Sequence, residues 1–299
     1  MRQRTIAKNI EIQGKGLHTG KGSSLLLKPS PENSGVVFLR TDQPGSVPIP
    51  ARIDWLDKAE RCTAIGKFPN VVMTVEHLMA ALYGIGISNV CVEIKGDEVP
   101  ALDGSAAPFV KFLEDAGIIE QDEPEAELFV DKPVWCGRKD SLIFAVPARE
   151  LRITYVAKFN HPLVGTQMLE LAITPESFKK EIAPSRTFGF WEEVQGLWNR
   201  NLALGGDLEN AILIMENSYS TPLRFEDEVV RHKMLDMVGD IALLGSPLRA
   251  HIIAVKGSHS LNMEFLKILQ SKEGADAEHP GDFKNSSSPV SFYSGGQNS

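Results

Sequence analysis

The sequence contains few cysteines and has no long apolar run. Its three cysteines, Cys62, Cys91 and Cys136, form an odd count without close spacing. We therefore expect free thiols in a reducing compartment rather than a disulfide framework. No apolar segment is long enough to span a bilayer, and no apolar signal core follows the basic start of the chain. These absences predict a cytoplasmic protein without a transmembrane segment.

Positive charge is in the minority. The 31 Lys and Arg residues face 39 Asp and Glu residues, so the formal net charge is −8, which argues against a general nucleic-acid binder. An anionic small substrate would need lysines or arginines placed locally around it. At 299 residues, of which 42% are hydrophobic, the chain can bury a sizeable core and is long enough for two domains.

Turn residues and acidic charge predict how the chain is divided. The acidic stretch 121–127 contains a proline and is the best linker candidate between a first domain, 1–120, and a second domain, 128–270. Both parts contain short strand-like and helical stretches, but no internal repeat is visible in the sequence. From residue 271 onward Ser, Gly, Asn and Pro dominate, which predicts a disordered tail over 271–299.

The stretch from Glu226 to Gly245 has the periodicity of a helix. It places Glu228, His232, Asp236 and Asp240 four residues apart, so that they share one face. A His and an Asp one turn apart can bind one divalent cation through an imidazole nitrogen and a carboxylate oxygen. A solvated polar face with an ordinary surface histidine explains the same spacing.

A second helix is predicted from Thr74 to Gly84. Thr74 is a good N-cap residue, and Glu76 and His77 would then lie in the first turn. A helix N-terminus disfavours a protonated imidazole, which leaves His77 neutral and able to coordinate a metal. A capping Glu followed by an incidental His is the alternative interpretation.

One strand is well defined by its pattern. From Asn89 to Lys95 the residues Val90, Val92 and Ile94 alternate with more polar residues. Because successive side chains of a strand point to opposite faces, this alternation predicts a strand with one buried face.

The two helical stretches combine with His259, which lies in a Gly-Ser-His loop. Two His and one Asp can hold Zn²⁺ and leave a position open for water. A carboxylate beside the ligands can act as a general base, and a further His as a general acid.

Six motifs together resemble one known family. The chain resembles the UDP-3-O-acyl-N-acetylglucosamine deacetylases, zinc enzymes of lipid A (lipopolysaccharide) synthesis, over roughly residues 1 to 270. The motifs are Gly16 to Gly20, Thr74 to Leu78, Leu102 to Ser105, Arg186 to Phe190, Arg231 to Asp236 with Gly239 and Asp240, and Lys256 to Asn262. The resemblance implies a hydrolase that releases acetate from UDP-3-O-acyl-N-acetylglucosamine, the committed step of lipid A synthesis.

The resemblance implies the residues that hold the metal and move protons. His77, His232 and Asp236 would be the zinc ligands, and Fe²⁺ suits the same ligands. Glu76 would be the general base acting on the zinc-bound water. His259 would be the general acid or an electrostatic partner.

Five further residues take roles by the same resemblance. Asp240 would orient His259, and Thr187 would donate its hydroxyl to the developing oxyanion. Phe188 would pack near the substrate, and Lys233 and Lys256 match positions that face the sugar nucleotide.

The fold that the resemblance implies is α+β. It has two similar domains, each a layer of helices on a β-sheet, with the active site between them and an insert near 186–217 that shapes an apolar passage. The expected protein is a cytoplasmic monomer whose partner is the sugar-nucleotide substrate and not nucleic acid. Two alternatives stay open: a non-haem Fe(II) oxygenase with the same triad, and a non-catalytic sugar-nucleotide or lipid binding protein.

Overall fold

The structure is a computed structural model that describes residues 1–273. The last helix runs to Glu273, so the first three residues of the predicted tail, 271–273, are helical. The rest of that prediction, 274–299, lies outside the described residues. Within 1–273, no helix combines the length and the apolar character that crossing a membrane requires.

The first half of the chain contains ten strands, five of which form its main sheet. The strands are Arg2–Ile6 (β1), Ile10–Lys15 (β2), Gly22–Pro29 (β3), Val36–Arg40 (β4), Ile49–Pro50 (β5), Leu56–Lys58 (β6), Ala64–Lys67 (β7), Asn70–Val72 (β8), Val90–Lys95 (β9) and Ile118–Pro124 (β10). The main sheet has the order β2-β3-β9-β4-β5, β6 to β8 form a small sheet, and β1 pairs with β10. The helices are Glu76–Gly84 (α1) and Ala107–Ala116 (α2), and a 3-10 turn spans Ile53–Trp55.

The second half is built on another five-stranded sheet. The strands are Leu128–Phe129 (β11), Val134–Arg138 (β12), Ser141–Val146 (β13), Arg152–Lys158 (β14), Thr166–Ala172 (β15), Phe188–Phe190 (β16), Ile212–Met215 (β17), Ser218–Tyr219 (β18), Leu248–Arg249 (β19) and His251–Val255 (β20). The main sheet has the order β12-β13-β20-β14-β15, β16 to β18 form a small sheet, and β11 pairs with β19. The helices are Pro175–Ser177 (α3), Trp191–Trp198 (α4), Glu228–Ile241 (α5) and His259–Glu273 (α6), with a π-helical turn Phe178–Ile182 and a 3-10 turn Ala242–Leu244.

The two five-stranded sheets have the same topology. In each, the first two pairings along the sheet order are antiparallel, the third is parallel and the fourth is antiparallel. One helix precedes the central strand in the chain and one follows it, which makes α1 and α2 the counterparts of α5 and α6. The predicted α+β fold of two similar halves is confirmed.

The predicted strand over 89–95 is confirmed as β9. Val90, Val92 and Ile94 are fully buried, whereas Cys91 and Glu93 are half-buried on the opposite face. The strand lies in the middle of its sheet, and its buried face packs in the main hydrophobic core. The alternation of the sequence therefore marks the side of the sheet that the helices cover.

The helices α1 and α5 pack against each other at the centre of the molecule. Gly239 allows the close approach, because a Cβ atom added there would lie 2.1 Å from the carbonyl oxygen of Glu76. Both helices are buried along most of their length. This contact brings the start of α1 beside the middle of α5.

The start of α1 differs from the prediction. Thr74 does not cap the helix; the cap residue is Val75, and no side chain caps it. Thr74 has a φ of 55°, and its hydroxyl donates a hydrogen bond of 2.7 Å to the buried carboxylate of Glu98. A charged acceptor 24 residues away competes successfully for the hydroxyl because hydrogen bonds to carboxylates are the stronger ones.

The predicted linker, 121–127, begins inside a strand. Residues through Pro124 belong to β10, which pairs with β1 at the start of the chain. The division of the chain at this stretch stays a prediction. In the second half, β16, α4 and β17 lie within the predicted insert, 186–217.

Candidate active site and metal centre

Three side chains from the two central helices converge on one point. His77 of α1 and His232 and Asp236 of α5 each offer a ligand atom, and these atoms lie within 4.8 Å of one another. The Nε2 atoms of His77 and His232 lie 3.7 Å and 3.3 Å from Oδ1 of Asp236. All three residues are buried. Two imidazole nitrogens and one carboxylate oxygen are a donor set suited to Zn²⁺ or Fe²⁺.

The surroundings of the triad hold its ligand atoms in their ligating form. Nδ1 of His232 lies 3.1 Å from the carbonyl oxygen of Ser185, which can only accept a hydrogen bond, so Nε2 faces the other ligands without a proton. Burial lowers the pKa of His232 to about 4. Burial alone would raise the pKa of Asp236, but Lys233 and His232 hold it well below its usual range. The residues fit a divalent metal.

A carboxylate and a third imidazole lie beside the triad. Burial raises the pKa of Glu76, although His259 and His77 act in the opposite direction. Nε2 of His259 lies 3.9 Å from Oε1 of Glu76 and 3.9 Å from Oδ2 of Asp236. A proton acceptor and a proton donor thus lie on adjoining sides of the convergence point.

Asp240 controls the charge of His259. Its Oδ2 accepts a hydrogen bond of 2.8 Å from Nδ1 of His259, and the carboxylate is fully buried. Burial alone would lower the pKa of the imidazole, but the charge and hydrogen bond of Asp240 raise it to about 9. His259 is therefore an imidazolium at neutral pH, with Nε2 carrying a proton toward the cavity.

A cavity of about 680 Å³ opens from these groups. The proposed metal ligands, Glu76, His259, Thr187, Phe188 and Lys233 all lie on its wall. One part of the wall is apolar and comes largely from the insert; its residues include Phe190, Trp191, Val194, Leu197, Trp198 and Leu208. The cavity can therefore hold a substrate that has a polar reacting group and a long apolar part.

The two predicted lysines differ in position. Lys233 lines the cavity, and its ammonium donates a hydrogen bond of 2.7 Å to Asp236. Lys256 is not among the residues that line the cavity, and its ammonium pairs with Asp140. The structure therefore brings Lys233 to the group of site residues and does not bring Lys256 there.

Three residues of the site were missed in the sequence. Thr63 donates its backbone N–H to Glu76 (3.0 Å) and its hydroxyl to Asp240 (2.7 Å). Asn262 donates its side-chain amide to Asp240 (2.7 Å), and the carbonyl of Ser185 orients His232. Ser185 and Asn262 lie next to or in the motifs named above, whereas Thr63 lies in none of them, and a backbone group or an uncharged side chain gives no spacing signal of its own.

Cys62, next to Thr63, is a packed thiol. It is 1% exposed, and burial with the neighbouring Glu76 carboxylate raises its pKa to about 12. A thiol with so high a pKa stays protonated and is a poor nucleophile at neutral pH.

The groups together can serve hydrolysis assisted by a metal. A water molecule can lose a proton on one side of the cavity while a leaving group gains a proton on the other. Both helices that offer ligand atoms belong to the α+β fold described above. The fold and the site define a metal-dependent hydrolase.

Comparison with known proteins identifies the family. Residues 3–271 match the family model LpxC, described as UDP-3-O-acyl N-acetylglycosamine deacetylase, and the chain belongs to this family. It is 44% identical to the UDP-3-O-acyl-N-acetylglucosamine deacetylase of Oleidesulfovibrio alaskensis, over 91% of this chain and 90% of the relative. It is 43% identical to the deacetylase of Myxococcus xanthus, over 90% and 86%. It is 38% identical to that of Idiomarina loihiensis, over 98% of both.

Proposed function

We propose that this cavity removes the N-acetyl group from UDP-3-O-acyl-N-acetylglucosamine and releases acetate, a step of lipid A synthesis. Membership of the family supports the reaction, and one structural observation supports its location: the metal-ligand group, a buried acid and base, and an apolar wall all border the same cavity. The alternative of an Fe(II) oxygenase and that of a non-catalytic binding protein receive no support from the family or from the named relatives.

His77, His232 and Asp236 would hold the metal, which we propose to be Zn²⁺, with Fe²⁺ compatible with the same ligands. When bound, the metal would polarise the acetamide carbonyl and acidify a coordinated water. Asp236 pairs with Lys233 and has a pKa well below its usual range. Its carboxylate therefore stays charged and can ligate the metal.

The protein residues then divide the proton transfers. Glu76 takes a proton from the attacking water, whose oxygen forms a bond to the acetyl carbon. The hydroxyl of Thr187 donates a hydrogen bond to the carbonyl oxygen as negative charge develops there. His259, held as an imidazolium by Asp240, gives its proton to the sugar nitrogen as the C–N bond breaks. The products are acetate and the free amine, without a covalent intermediate.

Binding of the substrate divides along the cavity. Phe188 and the apolar residues of α4 would contact the acyl chain. Lys233, at the polar end, is the cation on the cavity wall that lies beside the ligands and would face the sugar nucleotide. We further propose that the chain acts as a monomer in the cytoplasm, which sedimentation equilibrium and cell fractionation would check.

The decisive test is the release of acetate. Purified protein is incubated with UDP-3-O-acyl-N-acetylglucosamine, and acetate and free amine are quantified with and without a chelator. We expect equal amounts of the two products, loss of activity on chelation, and recovery when Zn²⁺ is added back. Oxygen consumption, or binding of the substrate without acetate release, would overturn the proposal.

A further inference from the structure

A short segment, Ser185 to Thr187, links two parts of the proposed site. Its first residue orients the ligand His232 through a carbonyl oxygen, as described above, and its third residue lines the cavity. The side chain between them, Arg186, points away from the cavity into the protein and is 8% exposed. Whatever holds Arg186 therefore also sets the positions of its two neighbours.

Glu228 accepts three hydrogen bonds from Arg186. Its Oε1 accepts hydrogen bonds from the backbone N–H of Arg186 (3.0 Å) and from Nε of its guanidinium (2.9 Å). Its Oε2 accepts from a terminal guanidinium nitrogen (3.1 Å). Glu228 is fully buried, and although burial alone would raise its pKa, hydrogen bonds from Arg186 lower it, so the pair is ionised. A bidentate pair of this kind has a fixed geometry.

Glu228 also lies one helical turn before His232 on α5. The same helix thus contacts the segment twice. The carboxylate of Glu228 accepts hydrogen bonds from Arg186, and the imidazole of His232 hydrogen-bonds to the carbonyl oxygen of Ser185. Because α5 is buried along most of its length and also carries His232 and Asp236, the two contacts fix the segment relative to the proposed metal ligands.

Backbone contacts hold the other end of the segment, at Thr187. The N–H of Thr187 donates to the carbonyl oxygen of Gly104 (2.8 Å). Gly104 has a φ of 80°, and an added Cβ would lie 1.8 Å from the carbonyl oxygen of Asn210, so the backbone is in close contact there. The backbone of Thr187 is therefore confined between α5 and the loop of Leu102 to Ser105, a motif that the reaction itself does not use.

We propose that Glu228, acting through Arg186, is a positioning residue that holds the Thr187 hydroxyl at the reacting carbonyl oxygen. The proposal rests on the role of Thr187 in the proposed function. Glu228 does not line the cavity and touches neither the substrate nor the reacting atoms. Its effect on catalysis is exerted through the segment, since a displacement of about 1 Å at a catalytic group can cost on the order of 10²-fold in rate.

A double-mutant cycle on the metal-loaded enzyme tests this. Thr187→Val removes the hydroxyl and should lower kcat on the order of 10²-fold. Glu228→Gln keeps an acceptor for Arg186 but loses the ionic grip, and should lower kcat on the order of 10-fold or more, with KM and metal content little changed. The kcat of the double variant should be no lower than that of Thr187→Val alone. Once the hydroxyl has been removed, misplacing residue 187 can no longer lower the rate through it. If Glu228→Gln does not unfold cooperatively, and so is not natively folded, Arg186→Lys takes its place in the same double-mutant cycle.

A bidentate ion pair away from the cavity, with a buried guanidinium but a more exposed carboxylate than Glu228, serves as the control. Arg40 and Asp42 form a bidentate pair with two hydrogen bonds of 2.8 Å, and Arg40 is 5% exposed. Asp42→Asn should lower the melting temperature and leave kcat unchanged. If the effects of Glu228→Gln and Thr187→Val multiply, or if Glu228→Gln loses its metal, the positioning proposal is wrong. A full kcat in Thr187→Val would instead remove Thr187 from the proposed function, and this proposal with it.

Discussion

Two buried histidines of the cavity are held in opposite charge states by their immediate neighbours. His232 has a pKa lowered to about 4, because burial outweighs the nearby Asp236, and it is a neutral imidazole suited to ligation. His259 has a pKa raised to about 9, because the fully buried Asp240 outweighs the burial of the imidazole. The same residue type can therefore supply a metal ligand and a proton donor within one cavity.

At the scale of single residues, metal binding should separate from proton transfer. Replacing His232 or Asp236 by Ala should remove metal and activity together, because each is a proposed ligand and offers one ligand atom. Glu76→Gln and His259→Ala should keep about one metal per chain and lose on the order of 10²–10⁴ in kcat. Metal content by emission spectrometry and acetate release report the two properties. A metal-free His259→Ala together with a metal-loaded His232→Ala would reverse the assignment of the histidines.

The pH dependence of the reaction should follow Asp240. Its carboxylate raises the pKa of His259, and the imidazolium, which is the proposed proton donor, is lost as the pH rises through that pKa. Asp240→Asn removes the charge and should move the basic limb of the kcat profile to lower pH. A bound metal does not change the expected direction of this shift, since the unmodified protein and the Asp240→Asn variant have the same proposed ligands. An unchanged basic limb in a metal-loaded Asp240→Asn variant would show that another group is the acid.

At the scale of elements, the geometry of the site depends on how closely two helices approach. The start of α1 supplies Glu76 and His77, and the middle of α5 supplies His232 and Asp236. The approach is possible because Gly239 faces the backbone of α1 at the position of Glu76. A metal centre shared by two elements is only as well defined as the distance between them.

Gly239→Ala should push the two helices apart. The new Cβ would lie 2.1 Å from the carbonyl oxygen of Glu76, a backbone atom that cannot rotate away. We expect a loss of about 1–3 kcal/mol in the free energy of unfolding, the usual cost of overpacking, and a weaker metal affinity. Urea denaturation and metal titration measure the two effects. Gly196→Ala in α4 is the control: its Cβ would contact nothing, so the higher helix propensity of Ala should raise the free energy of unfolding by about 0.5–1 kcal/mol and leave the metal affinity unchanged. An equally stable Gly239→Ala variant would contradict the expectation.

The helix α4 should contribute binding energy for the acyl chain. Each methylene buried against its apolar residues supplies about 0.8 kcal/mol, so UDP-N-acetylglucosamine without the chain should be a far poorer substrate. Val194→Asp should lower kcat/KM for the acylated substrate and leave the value for the unacylated one unchanged, because Val194 lies on the cavity wall. Equal kcat/KM for the two substrates in the unmodified protein would exclude the passage while leaving the metal chemistry in place.

At the scale of the whole molecule, one topology occurs twice and the site uses both copies. The first half supplies Glu76 and His77, and the second half supplies His232, Asp236 and His259. The two halves also join through backbone contacts around the cavity, such as the N–H of Gly205 on the carbonyl of Leu17. The site therefore cannot form in either half alone.

Removal of the chain after Glu273 should leave the fold and the reaction nearly unchanged. Residues 1–273 complete both sheets, the central helices and the cavity wall. The sequence of 274–299 has few large apolar residues with which to pack. The melting temperature and kcat/KM of a chain ending at Glu273 should match those of the full chain within error. A substantial fall in either quantity would show that this segment docks on the rest of the molecule.

The sequence by itself determined the features that depend on neighbouring residues. The alternation of β9 and the shared face of His232, Asp236 and Asp240 on α5 follow from local periodicity, which residues a few positions apart impose on each other. Glu76 and His77 do lie in the first turn of α1, but the N-cap from which that position was predicted, Thr74, is wrong. Matching motifs also indicated which side chains to place together, whereas the spacing of α5 alone favoured a solvated face over a metal site.

The tertiary structure decided everything that depends on residues far apart in the chain. The capture of the Thr74 hydroxyl by Glu98, the support of Asp240 by Thr63 and the pairing of Lys256 with Asp140 are contacts across 24, 177 and 116 residues. The repeated topology is likewise invisible in the sequence, because many different apolar residues can bury the same face of a strand. Local pattern sets which side of an element is buried, whereas the partner of each polar group is chosen only when the elements pack together.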